Sequence, residues 1–212
     1  MTDLRIAFFT DTPDLHPTDS IQVTVEQAAK VLGKAGSKVV ERRPPVCAKA
    51  KSHDLIMALL EPDVLATPKE QKRYGAEKDP LITEGVDRLS ASIKQIPASR
   101  LTDLKNAWPR VQREFLAFLH QHQLDALVCP VCAHPAMKHG TTWIRCQEGA
   151  FFFTEVFSLV GSCPMGVVRC GTSPEGLPIG VQVVGAPWQD DVVLEILSFL
   201  EKEFGGWKPP PL

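Results

Sequence analysis

A chain of 212 residues, 44% hydrophobic and 23% charged, is long enough to bury one sizeable core. A formal net charge of -2, with no basic run longer than Arg42-Arg43, excludes a nucleic-acid binder that works by neutralising phosphates. No segment approaches roughly 20 consecutive apolar residues, so no membrane span is expected.

The chain opens on Leu4 to Phe9, a short apolar run that predicts a buried strand. Its apolar stretch is too short for a secretory core and has no basic leader, so a cytoplasmic location is expected. After the turn-rich Asp11-Thr-Pro-Asp-Leu-His-Pro17, Asp19 and Gln22 have the spacing of a capping box. Ile21, Val25, Ala28, Ala29, Leu32 and Ala35 then recur at helical spacing, and Gly36 ends the helix. Ser37 to Glu41 predicts a second strand. A helix between two strands favours parallel pairing and an α/β class.

From Ala48 to Ser99 the sequence is polar and helical, broken at Pro62, Pro68, Pro80 and Pro97. It is read as short helices layered over the sheet. Leu101, Leu104, Trp108, Val111, Phe115, Phe118 and Leu119 predict a long amphipathic helix that Pro109 either kinks or divides. Leu124 to Cys129 predicts a buried strand ended by Pro130, and a loop rich in His, Gly and Thr runs to Thr142. An apolar helix is expected from Gln147 to Leu159. Strands at Met165 to Arg169 and Ile179 to Val184 flank Gly171-Thr-Ser-Pro-Glu-Gly176, a hairpin-type connection. Asp190 and Asp191 suit the positive end of a closing helix, whose buried stripe is Val193, Ile196, Leu197, Leu200 and Phe204. Gly205-Gly206 stops that helix. No internal repeat and no second domain boundary is visible, so residues 1–212 read as a single α/β domain: a mixed sheet covered by helices.

Cys47, Cys129, Cys132, Cys146, Cys163 and Cys170 are expected as free thiols, since a reducing compartment gives no disulfide framework. Cys129-Pro-Val-Cys132 with His134 and His139 contains zinc-binding residue types. Both pairs come from one segment, however, and Cys129 belongs to a buried strand, so no metal site is assigned. Gly161-Ser-Cys-Pro-Met-Gly166 lacks the Lys of a phosphate-binding loop, and no cofactor is assigned. Gln182 points to the opposite side of its strand from Ile179, Val181 and Val183. If that side is covered, its amide must be hydrogen-bonded there.

Three blocks carry a resemblance: Leu124-Asp-Ala-Leu-Val-Cys-Pro130, Phe157-Ser-Leu-Val-Gly-Ser-Cys-Pro164 and Glu175-Gly-Leu-Pro-Ile-Gly-Val-Gln-Val-Val-Gly185. The chain resembles the amidase signature family, and the third block is the most specific of the three. Leu4-Arg-Ile-Ala-Phe-Phe9, with its following helix and strand, is similar to the family's middle region. The resemblance implies the C-terminal half of the amidase signature fold, an incomplete amidase domain.

It also implies a chemistry. Members of this family hydrolyse amides with a Lys, a serine in a cis peptide and a nucleophilic serine, the last two near a loop of the Gly-Ser-Ser-Gly-Gly-Ser type. A serine needs a neighbouring base to attack, and glycines let backbone N–H groups face the oxyanion. Here no two serines are adjacent, no Ser-x-x-Lys occurs, and the only Gly-Gly is Gly205-Gly206. No catalytic residue is carried over. The resemblance places Pro130 to Trp143 and Phe151 to Ser158 along the acyl pocket. From these, Pro130, Cys132, Trp143, Phe152 and Ser158 are the candidate substrate-binding residues. The family often has Asn where this chain has Ser158, and Thr where it has Val160.

The expected function is therefore the C-terminal part of an amide hydrolase, inactive alone, with a small amide-type ligand. The alternative is a non-catalytic α/β binding module that keeps an apolar pocket and self-associates as a homo-oligomer to cover an exposed sheet edge.

Overall fold

The computed structural model describes residues 3–48, 98–138, 141 and 149–209. Its elements in chain order are β1 (Arg5–Phe8), α1 (Asp19–Lys34), β2 (Lys38–Glu41), a short 3-10 turn (Pro45–Cys47), α2 (Ala98–His122), β3 (Ala126–Pro130), α3 (Phe152–Val160), β4 (Met165–Thr172), β5 (Pro178–Gly185) and α4 (Asp190–Phe204). The sheet order is β2-β1-β3-β5-β4. β2, β1 and β3 are parallel, and β5 and β4 run antiparallel to their neighbours, so the sheet is mixed.

The side-chain alternation of the strands separates two cores. Ile6, Ala126, Val128, Val181 and Val183 face α1 and α4, where Val25, Ala28, Leu32, Val193, Ile196 and Leu200 meet them. Ala7, Leu127, Cys129 and Val184 face α2 and α3, where Phe115, Phe118, Phe152, Phe153, Val156 and Phe157 form an aromatic layer. The rings of Phe115 and Phe157 meet edge to face at 5.5 Å. Across the strand ends, the Asp125 carboxylate accepts from the Arg5 backbone N–H at 2.7 Å, which fixes β3 beside β1.

Several local expectations change. The capping box does not form: Asp19 is the first helical residue, and Thr18 precedes the helix without a side-chain cap. Gln22 instead donates to the Pro17 carbonyl at 2.7 Å. Pro109 does not divide α2, which runs unbroken from Ala98 to His122. Pro109 is exposed, so its ring stands clear of the core while the helix forgoes one backbone hydrogen bond. α3 begins at Phe152, and residues 149–151 form a turn. β4 runs past Arg169 to Thr172 because a bulge at Cys170 restores its pairing with β5. The helices read between Ala48 and Ser99 lie almost wholly outside the described residues, as do Trp143 and Cys146.

α2 also satisfies the end of α3. Trp108 Nε1 donates to the Leu159 carbonyl, and Gln112 Nε2 donates to the Val160 carbonyl at 2.9 Å. These carbonyls belong to the last turn, which has no partners within its own helix. Gly161 then leaves α3 at φ 69°, a left-handed position that suits glycine.

Candidate functional site

The topology singles out one end of the sheet. β1 leads to α1 on one face, while β3 leads to α3 on the other. The chain leaving these adjacent parallel strands therefore diverges, and a crevice opens outside their carboxyl ends. In open α/β sheets that position is the favoured ligand site.

Backbone groups fix the walls of this crevice. After β3, Val131 to His134 runs between the first turns of two helices. The Thr18 N–H donates to the Ala133 carbonyl at 3.0 Å, and the Ala133 N–H donates to the Ala150 carbonyl at 2.8 Å. Thr154 Oγ1 donates to the Val131 carbonyl at 2.7 Å. After β1, Thr12 is fully buried and bridges to Leu15. The Asp11 carboxylate meets Arg43 at 3.1 Å and His16 at 3.2 Å.

An open cleft of about 800 Å³ adjoins this end, lined by Thr18 to Ser20, His134 to Lys138, Thr141, and Pro174, Glu175 and Leu177 of the β4–β5 turn. The Gly-Leu-Pro block thus sits at its rim. Ser173 Oγ donates to the Glu175 carboxylate at 2.6 Å and holds that exposed carboxyl below its usual range.

The sequence-derived candidates divide. Pro130 is buried at the end of β3, opposite Val181. Cys132 is half-buried in the clamped loop. Burial pushes its thiol up. The backbone N–H groups of His134 and Ala133 act the other way, and the Glu155 carboxylate adds to the rise. Glu155 is itself raised by burial. Ser158 is exposed one turn further along α3, and its hydroxyl donates to the Thr154 carbonyl at 3.2 Å. Pro130, Cys132 and the polar side of α3 therefore converge. Phe152 does not join them: it is fully buried, edge to face with Phe153 at 6.0 Å, on the stripe that packs into the core. Trp143 lies outside the described residues.

Thr154 and Glu155 were missed as candidates. The available signal was the polar set Thr154, Glu155 and Ser158 at helical spacing on an otherwise apolar helix. Gln182 is 1% exposed, and its amide donates to the Phe153 carbonyl at 3.3 Å and toward Cys129 Sγ at 3.7 Å. It ties β5 to α3 and stays within the core.

The described thiols offer no activated nucleophile. Cys47, Cys129, Cys132, Cys163 and Cys170 are all free, and burial raises each of them, Cys163 to about 11 and Cys170 to about 12. Among the described residues no three metal-ligating side chains come together. No described helix is long and apolar enough to cross a membrane.

The sequence model of the family described as Amidase matches residues 1–194. This chain belongs to the amidase family. It is 42% identical over 84 residues to fatty-acid amide hydrolase 2 of Homo sapiens, a match spanning 37% of this chain and 14% of that protein. It is 28% identical over 195 residues to a glutamyl-tRNA(Gln) amidotransferase subunit of Acidobacterium capsulatum, covering 90% of this chain and 36% of the relative. Among solved structures it resembles 6-aminohexanoate cyclic dimer hydrolase, with a TM-score of 0.74 at 17% identity. That likeness covers 96% of this chain and 45% of the hydrolase. The chain thus spans less than half the length of these relatives, and the α/β fold is one it shares with amidase signature enzymes.

Proposed function

We propose that this chain is the C-terminal part of an amide hydrolase, and that it supplies a wall of the acyl pocket and no attacking serine. One observation carries this reading. Residues 1–194 match the family, yet the sequence contains no adjacent serines, no Ser-x-x-Lys and no glycine-rich serine loop. The reaction such a pocket serves is acyl transfer. A serine oxygen attacks the amide carbon, the C–N bond breaks as the nitrogen takes a proton, and water then cleaves the ester.

The loop Pro130 to Cys132 and the polar side of α3 are placed to line that pocket. Thr154 and Ser158 hydroxyls already donate to backbone carbonyls, so they orient the wall and lack a base that would make them nucleophiles. The substrate class is an amide, in keeping with the fatty-acid amide hydrolase among the relatives. Free thiols throughout the described core suit a reducing compartment, and we place the protein in the cytoplasm.

A serine-reactive fluorophosphonate and a panel of simple amides test this reading. The isolated chain is expected to show neither stoichiometric labelling nor turnover. One fully labelled serine accompanied by hydrolysis overturns it.

The open cleft at the β1 and β3 ends favours a second reading, a non-catalytic binding module. Saturable binding of a small amide to the isolated chain, lost on substituting His134 or Lys138, supports that reading over the first.

A further inference from the structure

A cluster of positive charge lies away from the candidate acyl wall. Strand alternation puts Lys38, Val40 and Arg42 on one face of β2, and the register sets Lys38 directly beside Arg5 of β1. With His122 and Leu124 at the end of α2, these residues line a pocket of about 310 Å³. Leu124 precedes β3, and Arg5 and Lys38 open β1 and β2, so the pocket lies toward the amino ends of the parallel strands. The candidate wall stands at their carboxyl ends.

Among the described residues no carboxylate pairs with Arg5, Lys38 or Arg42. Arg43 shows the contrast, since it meets the Asp11 carboxylate at 3.1 Å. The Asp125 carboxylate is taken by the Arg5 main-chain N–H. The two guanidinium groups are instead steadied by neutral partners. Arg5 Nη1 donates to Gln123 Oε1 at 2.7 Å, and Arg42 Nη1 donates to His122 Nε2 at 3.4 Å. A guanidinium has no acceptor, so that imidazole nitrogen accepts and His122 is neutral in this contact. The cations do not serve to cap α2, whose end closes on itself. There the Gln123 N–H donates to the His120 carbonyl at 3.0 Å, and the Leu124 N–H donates to the Leu119 carbonyl at 2.9 Å. Charge on an edge strand prevents unwanted pairing, which accounts for Lys38 but not for Arg5, since β1 is an interior strand. Like charges side by side on neighbouring strands are destabilising until an anion joins them.

We propose that this pocket binds a small molecule carrying a phosphate monoester. Each guanidinium spends one donor on its neutral partner and keeps others in a fork that matches two oxygens of a phosphate. Lys38 adds a third positive charge beside them. Val40, which is 40% exposed, and Leu124 give the organic group an apolar wall. The volume stands at the lower end of the range of about 300–1,000 Å³ usual for ligand pockets, which suits one phosphate and one small ring. A net charge of -2, with no longer basic run beyond Arg42-Arg43, provides no track for a nucleic-acid backbone.

Phenyl phosphate and inorganic phosphate, titrated into the full chain in a calorimeter at low ionic strength, provide the test. One phenyl phosphate per chain is expected, displaced by inorganic phosphate and weakened as salt rises. Arg42→Gln and Lys38→Gln are each expected to weaken binding about tenfold, the size of a lost hydrogen bond to a charged group. Lys34→Gln removes the same charge from the last turn of α1 and is expected to change the affinity by less than about twofold. Thermal unfolding gives a second readout. Phenyl phosphate is expected to raise the midpoint of the wild type and to leave that of the Lys38→Gln, Arg42→Gln double variant in place. An equal loss in Lys34→Gln would show a response to net charge alone. Benzoate binding as tightly as phenyl phosphate would remove the preference for phosphate. Binding to phosphatidylserine vesicles without a response to phenyl phosphate would give the cluster to a membrane surface. Any of these results, or no saturable binding by the wild type, overturns the proposal.

Discussion

The Gln182 side-chain amide reaches 3.3 Å across the buried side of the sheet to the carbonyl oxygen of Phe153, so one hydrogen bond couples β5 to the first turn of α3. Gln182→Leu removes the donor, while the Phe153 carbonyl keeps its place in the α3 ladder. The expected loss is about 0.5–1.5 kcal/mol of unfolding free energy, read by urea titration. Gln182→Glu is expected to cost more, because a carboxylate cannot donate and is buried without a counter-ion. Equal stability of the wild type and both variants would show that the contact is incidental.

The C-terminus of α3 has its own glycine cap and also takes two donors from α2. Trp108→Phe and Gln112→Ala each strip a donor from one of the last carbonyls, and each is expected to cost about 1 kcal/mol. The two donors serve adjacent carbonyls, so a double-mutant cycle is expected to give a coupling of about 0.5 kcal/mol or more. Strict additivity would mean that the α3 end relaxes independently at each position.

Two glycines in β5 separate rigid from yielding surroundings. A methyl group at Gly185 would meet Val193 Cγ2 at 2.7 Å, in the first turn of α4, and Pro164 Cγ at 3.2 Å, just before β4. Gly185→Ala is expected to cost about 1–3 kcal/mol by overpacking. Gly180→Ala meets mainly Val167, which is largely exposed and free to turn outward. Its cost is expected to be the smaller of the two in thermal unfolding, and the reverse order would place Val167 under cover.

The thiols set an alkaline limit on stability. Burial raises Cys163 to about 11 and Cys170 to about 12, so the folded protein holds these protons after the unfolded chain has released them. The unfolded state then binds fewer protons, and stability falls as pH rises. The contribution is complete below the ordinary thiol range and lost progressively toward pH about 12. Urea midpoints are expected to be level from neutrality to mildly alkaline pH and to decline above it. In the Cys163→Ala, Cys170→Ala variant that decline is expected to shrink.

The strands and amphipathic helices were legible because each follows a single period that burial enforces. Ile6, Val128 and Val183 alternate onto one face, and Val25, Ala28 and Leu32 form one stripe. The hairpin was legible from Gly171 to Gly176, since Gly176 takes φ 85° in the turn. Local competition obscured the rest. Gln22 donates to the Pro17 carbonyl instead of accepting from the backbone N–H of a capping box, and α2 runs on through Pro109. In the candidate site, aromatic character drew attention to Phe152, although its position in the helical period assigns it to the buried stripe. The same period marks Thr154, Glu155 and Ser158 as the side that meets the Val131–Cys132 loop.

The path of that loop is held by main-chain amides: the Thr18 N–H takes the Ala133 carbonyl, and the Ala150 carbonyl takes the Ala133 N–H. Neither contact consults a side chain on the loop itself. Mutational drift can therefore rewrite the chemistry of Cys132, His134 and their neighbours while the frame that presents them holds still, a division of labour that lets one scaffold trial many ligands at little risk to its folding.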